Sequence, residues 1–280
     1  VTTTVGNARR VMEGKLINEF YLLDTYSGNG SHFFADGSVN PAGGPKDGMI
    51  RTPEDMLWLQ ALNEAGATFL PNKTIGKKGI WYGDYIYADA NGDGVYGDVN
   101  DYMFTGTSMT PKFYYGIQFE LGWKGIDFSM LWNGSGGAQC YWRYVGFNAY
   151  STGGYFTLPK KIAYDHYFYD PENPEDPRTN ITSGHARLTM NYGSEQNDGQ
   201  CTSKLFLYDT DYLRLKNLTI GYTFPQKWMK KISVSDFRLF FSGENLLTFT
   251  KYPGMDPEIS DTMNYYALLR QYSFGLSLKF

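Results

Sequence analysis

The clearest pattern in the chain is a strict alternation of apolar residues with polar or small ones. One alternating stretch runs from Phe113 to Trp123, and a second covers residues 126–132 after the turn Lys124-Gly125. A period of two is typical of a β-strand with one apolar and one polar face. A two-residue hairpin places every apolar side chain on the same face. It predicts the cross-strand pairs Trp123 with Ile126, Leu121 with Phe128, and Phe119 with Met130.

Four further stretches predict strands, at residues 15–23, 212–224, 237–241 and 270–280, and the last ends on an aromatic residue. One helix is predicted within a loop region. Thr52 is placed to cap it, Pro53 suits its first position, and Glu54 and Asp55 lie at the positive end of its dipole. Gly66 is expected to end it. The chain is therefore predicted to be all-β with one short loop helix.

The lengths of the connections distinguish two β architectures. Residues 124–125 and 225–236 form short connections, whereas 133–204 and 248–268 are long. Short turns at one end and long loops at the other are typical of an outer-membrane barrel, whose apolar face meets lipid. Trp123 and Trp228 lie at the short-turn end, where an aromatic girdle belongs. We therefore predict an antiparallel transmembrane β-barrel segment with long extracellular loop regions at 24–112 and 133–204.

Composition narrows the class of protein. The 280 residues are 42% hydrophobic and 18% aromatic with 32 Gly, which suits short strands and large loops rather than helices. No apolar run approaches the eighteen residues of a transmembrane helix. A net charge of −4 with both signs interspersed gives no indication of nucleic-acid binding. Cys140 and Cys201 are compatible with either a disulfide or two free thiols.

No catalytic motif is recognisable, so the protein is predicted not to be an enzyme. The three histidines are scattered, and none has the HExxH spacing of a zinc protease. The string from Gly92 to Gly97 has GxGxxG spacing, but no helix pattern follows it as a dinucleotide site requires. The chain also starts at Val1 without a charged or apolar leader. We interpret it as a piece of something longer.

Residues 89–101 resemble a calcium-binding loop. Asp89, Asn91 and Asp93 occupy positions 1, 3 and 5, and Val95 offers its carbonyl at position 7. Position 12 is Asn100 rather than a carboxylate. The acid Asp101 follows one residue late, and Asp98 is the other candidate for this ligand. The sequence therefore predicts a structural Ca²⁺ site, and the alternative is an Asx-rich turn without metal.

Five strings in order resemble the carboxyl-terminal part of SusC-like TonB-dependent transporters, the outer-membrane glycan importers of Bacteroidetes. They are YADANGDG (87–94), LRLKNLTIGYTFP (213–225), SGENLLT (242–248), YPGMDP (252–257) and YSFGLSLKF (272–280). The resemblance implies a large plugged barrel of about 22 strands. Residues 1–280 would then be its carboxyl-terminal part, without the plug and the earlier strands.

The family resemblance also implies partners. These are a SusD-like surface lipoprotein, TonB acting through the missing amino-terminal part, the lipid bilayer of the bacterial outer membrane, and an oligosaccharide or, less favoured, a peptide. The candidate substrate-binding residues are Tyr141, Trp142, Arg143 and Tyr144, since flat aromatic faces suit sugar rings and a guanidinium bonds hydroxyls. Packing within the loop is the alternative role for each. The alternative function is a secreted, calcium-stabilised β-sandwich that binds glycans.

Overall fold

A computed structural model describes residues 2–4, 8–142, 158, 160–189, 201–259, 266 and 268–280. The chain divides into two compact units. Residues 1–106 and 141–207 form the loop unit, and residues 107–140 and 208–280 form the sheet unit. Within the described ranges, no helix has both the length and the apolar character needed to cross a membrane.

Thirteen strands are present in the described part of the chain. In order they are β1 (Thr2–Thr4), β2 (Arg9–Met12), β3 (Glu19–Leu22), β4 (Thr68–Phe69), β5 (Val95–Tyr96), β6 (Met103–Phe104), β7 (Phe113–Trp123), β8 (Ile126–Gly136), β9 (Gln139–Tyr141), β10 (Leu207–Asp209), β11 (Tyr212–Thr223), β12 (Asp236–Thr250) and β13 (Gln271–Lys279). The α-helices are α1 (Pro53–Glu64), α2 (Lys160–Tyr164) and α3 (Gln226–Met229). Short 3₁₀ turns cover Lys204–Phe206, Lys230–Ile232 and Pro257–Ile259.

The sheet unit is built on five antiparallel strands in the order β13-β12-β11-β8-β7. The predicted hairpin register is confirmed, with Trp123 opposite Ile126, Leu121 opposite Phe128 and Phe119 opposite Met130. The turn has positive φ at both central residues, 47° at Lys124 and 90° at Gly125. Such a turn matches the right-handed twist of the two strands.

A bulge at Lys216 changes the alternation within β11. Against β8, Lys216 is an extra residue, because Leu215 and Asn217 pair with the consecutive residues Trp132 and Leu131. Against β12 the register also shifts here, and residues 245–246 of β12 lie opposite Lys216. Leu215 lies opposite Trp132, and Leu218 lies opposite Met130. Because the bulge inserts one residue, the side-chain alternation shifts by one position. Leu213 and Leu215 before the bulge therefore share one face with Leu218 and Ile220 after it.

The apolar face of this sheet is exposed along its length. Phe119 is 45% exposed, Trp123 61%, Phe274 84% and Leu276 63%. A soluble protein buries such a continuous face, whereas a strand in a membrane barrel turns it toward lipid. The five strands thus have the character of a barrel wall and are too few to close a large barrel.

The loop unit has its own hydrophobic core. Helix α1 begins with a reciprocal capping box, in which the Thr52 hydroxyl accepts the Asp55 N–H and the Asp55 carboxylate accepts the Thr52 N–H. The helix buries Trp58 and Leu59 completely. The Trp58 indole donates to the Asn40 carbonyl at 2.8 Å, so the largest core side chain is also hydrogen-bonded.

Residues 160–189 are fixed to the earlier part of the same unit by polar bonds from two arginines. The Arg51 guanidinium donates to the carbonyls of Ile181 and Ser183 at 2.7 and 2.8 Å. Arg187 pairs with the buried Asp84 carboxylate at 2.8 Å. These bonds explain how a stretch with little regular secondary structure keeps a defined shape.

Three predicted boundaries differ from the structure. The strand predicted at residues 15–23 is β3, which begins at Glu19 rather than at residue 15, because Asn18 takes a positive φ of 55° that interrupts extended backbone. Strand β8 continues to Gly136 and β12 to Thr250, since their terminal residues still pair with β7 and β11. Cys140 and Cys201 are both buried and are not joined by a disulfide, so the disulfide alternative is wrong.

Candidate functional site

The second face of the sheet is polar and small. Its residues include Glu120, Ser129, Thr219, Ser242 and Ser273, which the strand register places on one side. The Thr219 hydroxyl bonds that of Ser242 at 3.3 Å across two strands. In a membrane barrel this composition is typical of the lumenal face.

An ion pair crosses the polar face near the short-turn end. Arg238 on β12 binds Asp127 on β8 through two bonds, at 2.9 and 2.5 Å, although β11 lies between these strands. Gly221 on β11 makes the crossing possible, because a Cβ there would collide with the carboxylate and would lie 2.6 Å from the guanidinium. Residue 221 must therefore be a glycine, because only a glycine leaves room for the salt bridge between Arg238 and Asp127.

A buried charge network lies at the other end of the polar face. The Arg214 side chain is 3% exposed, and its Nη2 lies 2.8 Å from the Asp256 carboxylate, which is 4% exposed. Its Nη1 lies 3.1 Å from Glu258, and its Nε donates to Thr248 at 3.0 Å. The network therefore anchors residues 251–259 against β11 and β12.

The predicted calcium loop has a compact hydrogen-bonded form. The Asp89 carboxylate accepts the N–H groups of Gly92, Asp93 and Gly94 at 2.7–3.2 Å. Asn91 and Asp93 bond each other, and the Val95 N–H, at the start of β5, donates to Asp93 at 2.8 Å. These hydrogen bonds within the loop form an Asx-rich turn.

Asp101 occupies a different place from the other predicted ligands. Its side chain is buried and accepts the N–H groups of Ala90, Gly97 and Asp98 at 2.7–3.0 Å, closing the loop at its base. In the described ranges, no group of three or more His, Cys, Asp or Glu side chains is arranged to hold a metal. Calcium binding stays a prediction, since asparagine and carbonyl oxygens also serve as ligands.

Of the four predicted substrate-binding residues, two are described. Tyr141 is half-buried in β9, its ring lies edge-on to Phe206 at 6.4 Å, and its hydroxyl donates to the Cys201 carbonyl at 3.4 Å. The Trp142 N–H donates to the Phe206 carbonyl at 2.8 Å. Arg143 and Tyr144 lie outside the described residues. The role of the four in substrate binding stays a prediction.

The loop unit contains an aromatic cleft that was not predicted from the sequence. It has a volume of about 300 Å³ and is lined chiefly by Trp81, Phe168 and Tyr169, with Lys77, Asp170 and Glu172 at its polar side. We call these six residues the aromatic cleft. The Trp81 indole N–H has no hydrogen-bond partner among the residues the structure describes.

The rings of the cleft are held in place from behind. Tyr82 packs edge-on against both Trp81 and Tyr169, with centroids 4.9 and 5.1 Å away. The Trp81 backbone N–H donates to the Asp84 carboxylate at 2.8 Å, and the Arg178 guanidinium lies 4.6 Å from the centre of the Phe168 ring. The cleft is thus organised before any ligand enters it.

The pKa values of two residues that take part in, or lie next to, these contacts are shifted. Hydrogen bonds from Arg178 lower the pKa of Asp176 to about 2, so this pair stays ionised at physiological pH. Burial raises the pKa of Tyr82 above its ordinary value, with smaller contributions from the charges of Tyr169 and Asp55. The ring behind the cleft is therefore a neutral phenol.

The fold and the exposed apolar face define a class, the membrane-spanning β-barrel. No protein-family model matches the chain. It is 30% identical to the TonB-dependent receptor P3 of Formosa agariphila over 212 residues, which are 71% of this chain and 19% of that protein. It is 23% identical to the TonB-dependent receptor SusC of Bacteroides thetaiotaomicron over 199 residues, 70% of this chain and 17% of that protein.

A solved structure has a similar fold. The RagAB peptide importer in its open-open state matches with a TM-score of 0.60 and 18% identity, over 100% of this chain and 24% of that one. The barrel fold is thereby confirmed, and the β-sandwich alternative is wrong. The chain is a SusC-like member of the TonB-dependent receptors, which are outer-membrane proteins. It spans less than a fifth of the length of the curated relatives it matches.

Proposed function

We propose that this chain forms part of a transporter that imports oligosaccharides across the bacterial outer membrane. TonB would supply the energy, and a SusD-like surface lipoprotein would be the partner at the cell surface. The relatives are named receptors and the structural match is named an importer, which supports a transport role rather than an enzymatic one.

The observation that carries the choice of substrate is the aromatic cleft. The C–H faces of a sugar ring are apolar and suit the flat rings of Trp81 and Tyr169. The carboxylates of Asp170 and Glu172 can accept hydroxyl protons, and the indole of Trp81 can donate to a hydroxyl oxygen. A rigid apolar pocket with a few convergent polar groups is typical of small-ligand sites.

Peptide import is the second candidate, because the match to the RagAB peptide importer covers the whole chain. A peptide would present its own N–H groups to the carboxylates of the cleft, and its side chains to the rings. The cleft therefore offers suitable contacts to an oligosaccharide and to a peptide.

Binding measurements on the native protein in detergent separate these candidates. We expect neutral oligosaccharides to bind, and Trp81→Ala to weaken binding about tenfold through the loss of one stacked ring. Tyr164→Ala is the matched control, since Tyr164 is an exposed aromatic residue outside the cleft. Binding of peptides alone, or equal effects of both variants, would contradict the proposal.

Glu172→Gln tests the polar side of the cleft without removing a ring. Glu172 and Glu175 are both exposed glutamates of the same proline-rich segment, and only Glu172 lines the cleft. We expect Glu172→Gln to weaken oligosaccharide binding severalfold and Glu175→Gln to leave it unchanged. Equal oligosaccharide affinities of the two variants would show that the Glu172 carboxylate does not take part in binding.

Calcium is a further part of the proposal for the 89–101 loop. A carboxylate has about four acceptor positions, so the bonds already made by Asp89 and Asp93 leave room for a cation. Because bound metal stabilises only the folded state, Ca²⁺ should raise the midpoint of thermal unfolding. The rise should disappear in Asp93→Ala, and an unchanged midpoint in the wild type would contradict the site.

A further inference from the structure

The apolar face of the sheet unit ends in a groove at the long-loop end of β11 and β12. Its volume is about 610 Å³. Tyr115, Leu213 and Phe249 line its apolar part, and Asp209, Asp211 and Lys251 line its polar part. We call these six residues the interface groove. It lies where the lipid-facing surface gives way to polar loops, and it is separate from the aromatic cleft.

The apolar part is shaped by a glycine. The register places Tyr115, Gly134, Leu213 and Phe249 side by side on four neighbouring strands. Because Gly134 has no side chain, the Tyr115 ring lies across β8, and its hydroxyl donates to the Tyr212 carbonyl at 2.7 Å. The fixed ring forms one wall of the groove.

The opposite wall is also aromatic and is exposed. Phe249 is 59% exposed, and its ring stacks on Trp132 with centroids 6.2 Å apart and an interplanar angle of 20°. Aromatic residues at this position of a barrel strand mark the boundary between hydrocarbon and headgroups. An acyl chain running along Leu213 would therefore be continuous with the bilayer.

The polar part offers acceptors together with one cation. Asp209 accepts the Gln139 side-chain amide at 2.9 Å, and Asp211 accepts the Gly137 N–H at 2.8 Å, in each case through one carboxylate oxygen. Each carboxylate keeps a second oxygen for a ligand. Lys251 is exposed and forms no ion pair within the described ranges. Two carboxylates would repel a bare phosphate, whereas sugar hydroxyls would donate to them.

We propose that the interface groove binds a phosphorylated glycolipid of the outer leaflet. The acyl chain would lie against Leu213 and Phe249, the sugar hydroxyls would donate to Asp209 and Asp211, and the phosphate would meet Lys251. Outer-membrane barrels have long loops on the extracellular side, which places this groove at the level of that leaflet. The bound lipid is a structural partner of the wall and is independent of the imported substrate.

Lipid retention on the native protein tests this proposal. The protein is extracted from its outer membrane in mild detergent, delipidated, and titrated with purified lipid A while bound lipid is counted by native mass spectrometry. We expect about one lipid A per chain at the groove, and roughly tenfold weaker binding in Lys251→Gln. Phe249→Ala should lower retention similarly. Phe274→Ala is the control, since Phe274 is an exposed aromatic residue of the same face outside the groove.

Competing ligands identify the recognised chemistry. Dephosphorylated lipid A should bind more weakly than lipid A and should be insensitive to Lys251→Gln. Phosphatidylethanolamine, which has a phosphate but no sugar, should compete poorly, and inorganic phosphate should not compete. Equal binding of phosphatidylethanolamine, equal retention by Lys251→Gln and wild type, or no saturable lipid would each overturn the proposal. None of these results bears on oligosaccharide binding, so the two proposals fail separately.

Discussion

Arg214 is the charged side chain whose removal we expect to cost most in the sheet unit. In Arg214→Met the buried Asp256 carboxylate loses its 2.8 Å partner, while Lys216 remains 3.4 Å from Glu258. Removing one member of a buried pair typically costs about 3–5 kcal/mol. Asp256 still accepts the N–H groups of Glu258 and Leu268, so we expect about 3 kcal/mol, the lower end of that range.

The assay is urea unfolding of the native protein in detergent, with tryptic cleavage after Lys251 as a local measure. We expect Arg214→Met to expose the bond before the buried Tyr252, and Asp256→Asn in the same chain to restore part of the stability. A coupling free energy above about 1 kcal/mol between the two substitutions would follow from direct contact. A single-variant loss within about 0.5 kcal/mol, or strict additivity, would refute the reasoning.

Three other predictions follow from the same structure. Thr52→Ala should cost about 1 kcal/mol by removing the cap of α1, and hydrogen exchange of that helix would measure it; Thr52→Ser should retain the cap. Burial raises the pKa of Tyr26 to about 12, helped by nearby Tyr96, so its contribution to stability is complete below about pH 10 and is lost as pH rises through 12. Thermal unfolding of Tyr26→Phe should therefore be less sensitive to pH in that window than the wild type. A spin label at position 119 of β7 should be accessible to oxygen, and one at position 120 should be accessible to a water-soluble relaxant. If both accessibilities were highest at the same positions along β7, the strand would not be facing lipid.

The elements that the sequence predicts best are those fixed by neighbouring residues. The β7–β8 hairpin follows from alternation and from a two-residue turn, and α1 follows from its cap and its first turn. The bulge at Lys216 also has a signature in the sequence, although it was not predicted. Apolar residues change from odd to even positions between Leu215 and Leu218, and a shift of that kind indicates an inserted residue.

The sites depend on contacts between distant residues, which no local pattern contains. The aromatic cleft joins Trp81 to Phe168 and Tyr169, and Arg214 meets Asp256 across a strand and a loop. A glycine such as Gly221 looks ordinary in the sequence, because its role is to leave space for a salt bridge between other strands. Such spacing depends on the register of the whole sheet.

Uptake by living cells tests the central claim most directly. A labelled neutral oligosaccharide is supplied to cells that carry the wild-type protein, the Trp81→Ala variant, or no copy of the protein. Oligosaccharide should accumulate only with the protein present and with an intact proton gradient, and Trp81→Ala should reduce uptake at low substrate concentration. Uptake that persists without the protein, or accumulation of oligopeptides in place of oligosaccharides, would contradict the account.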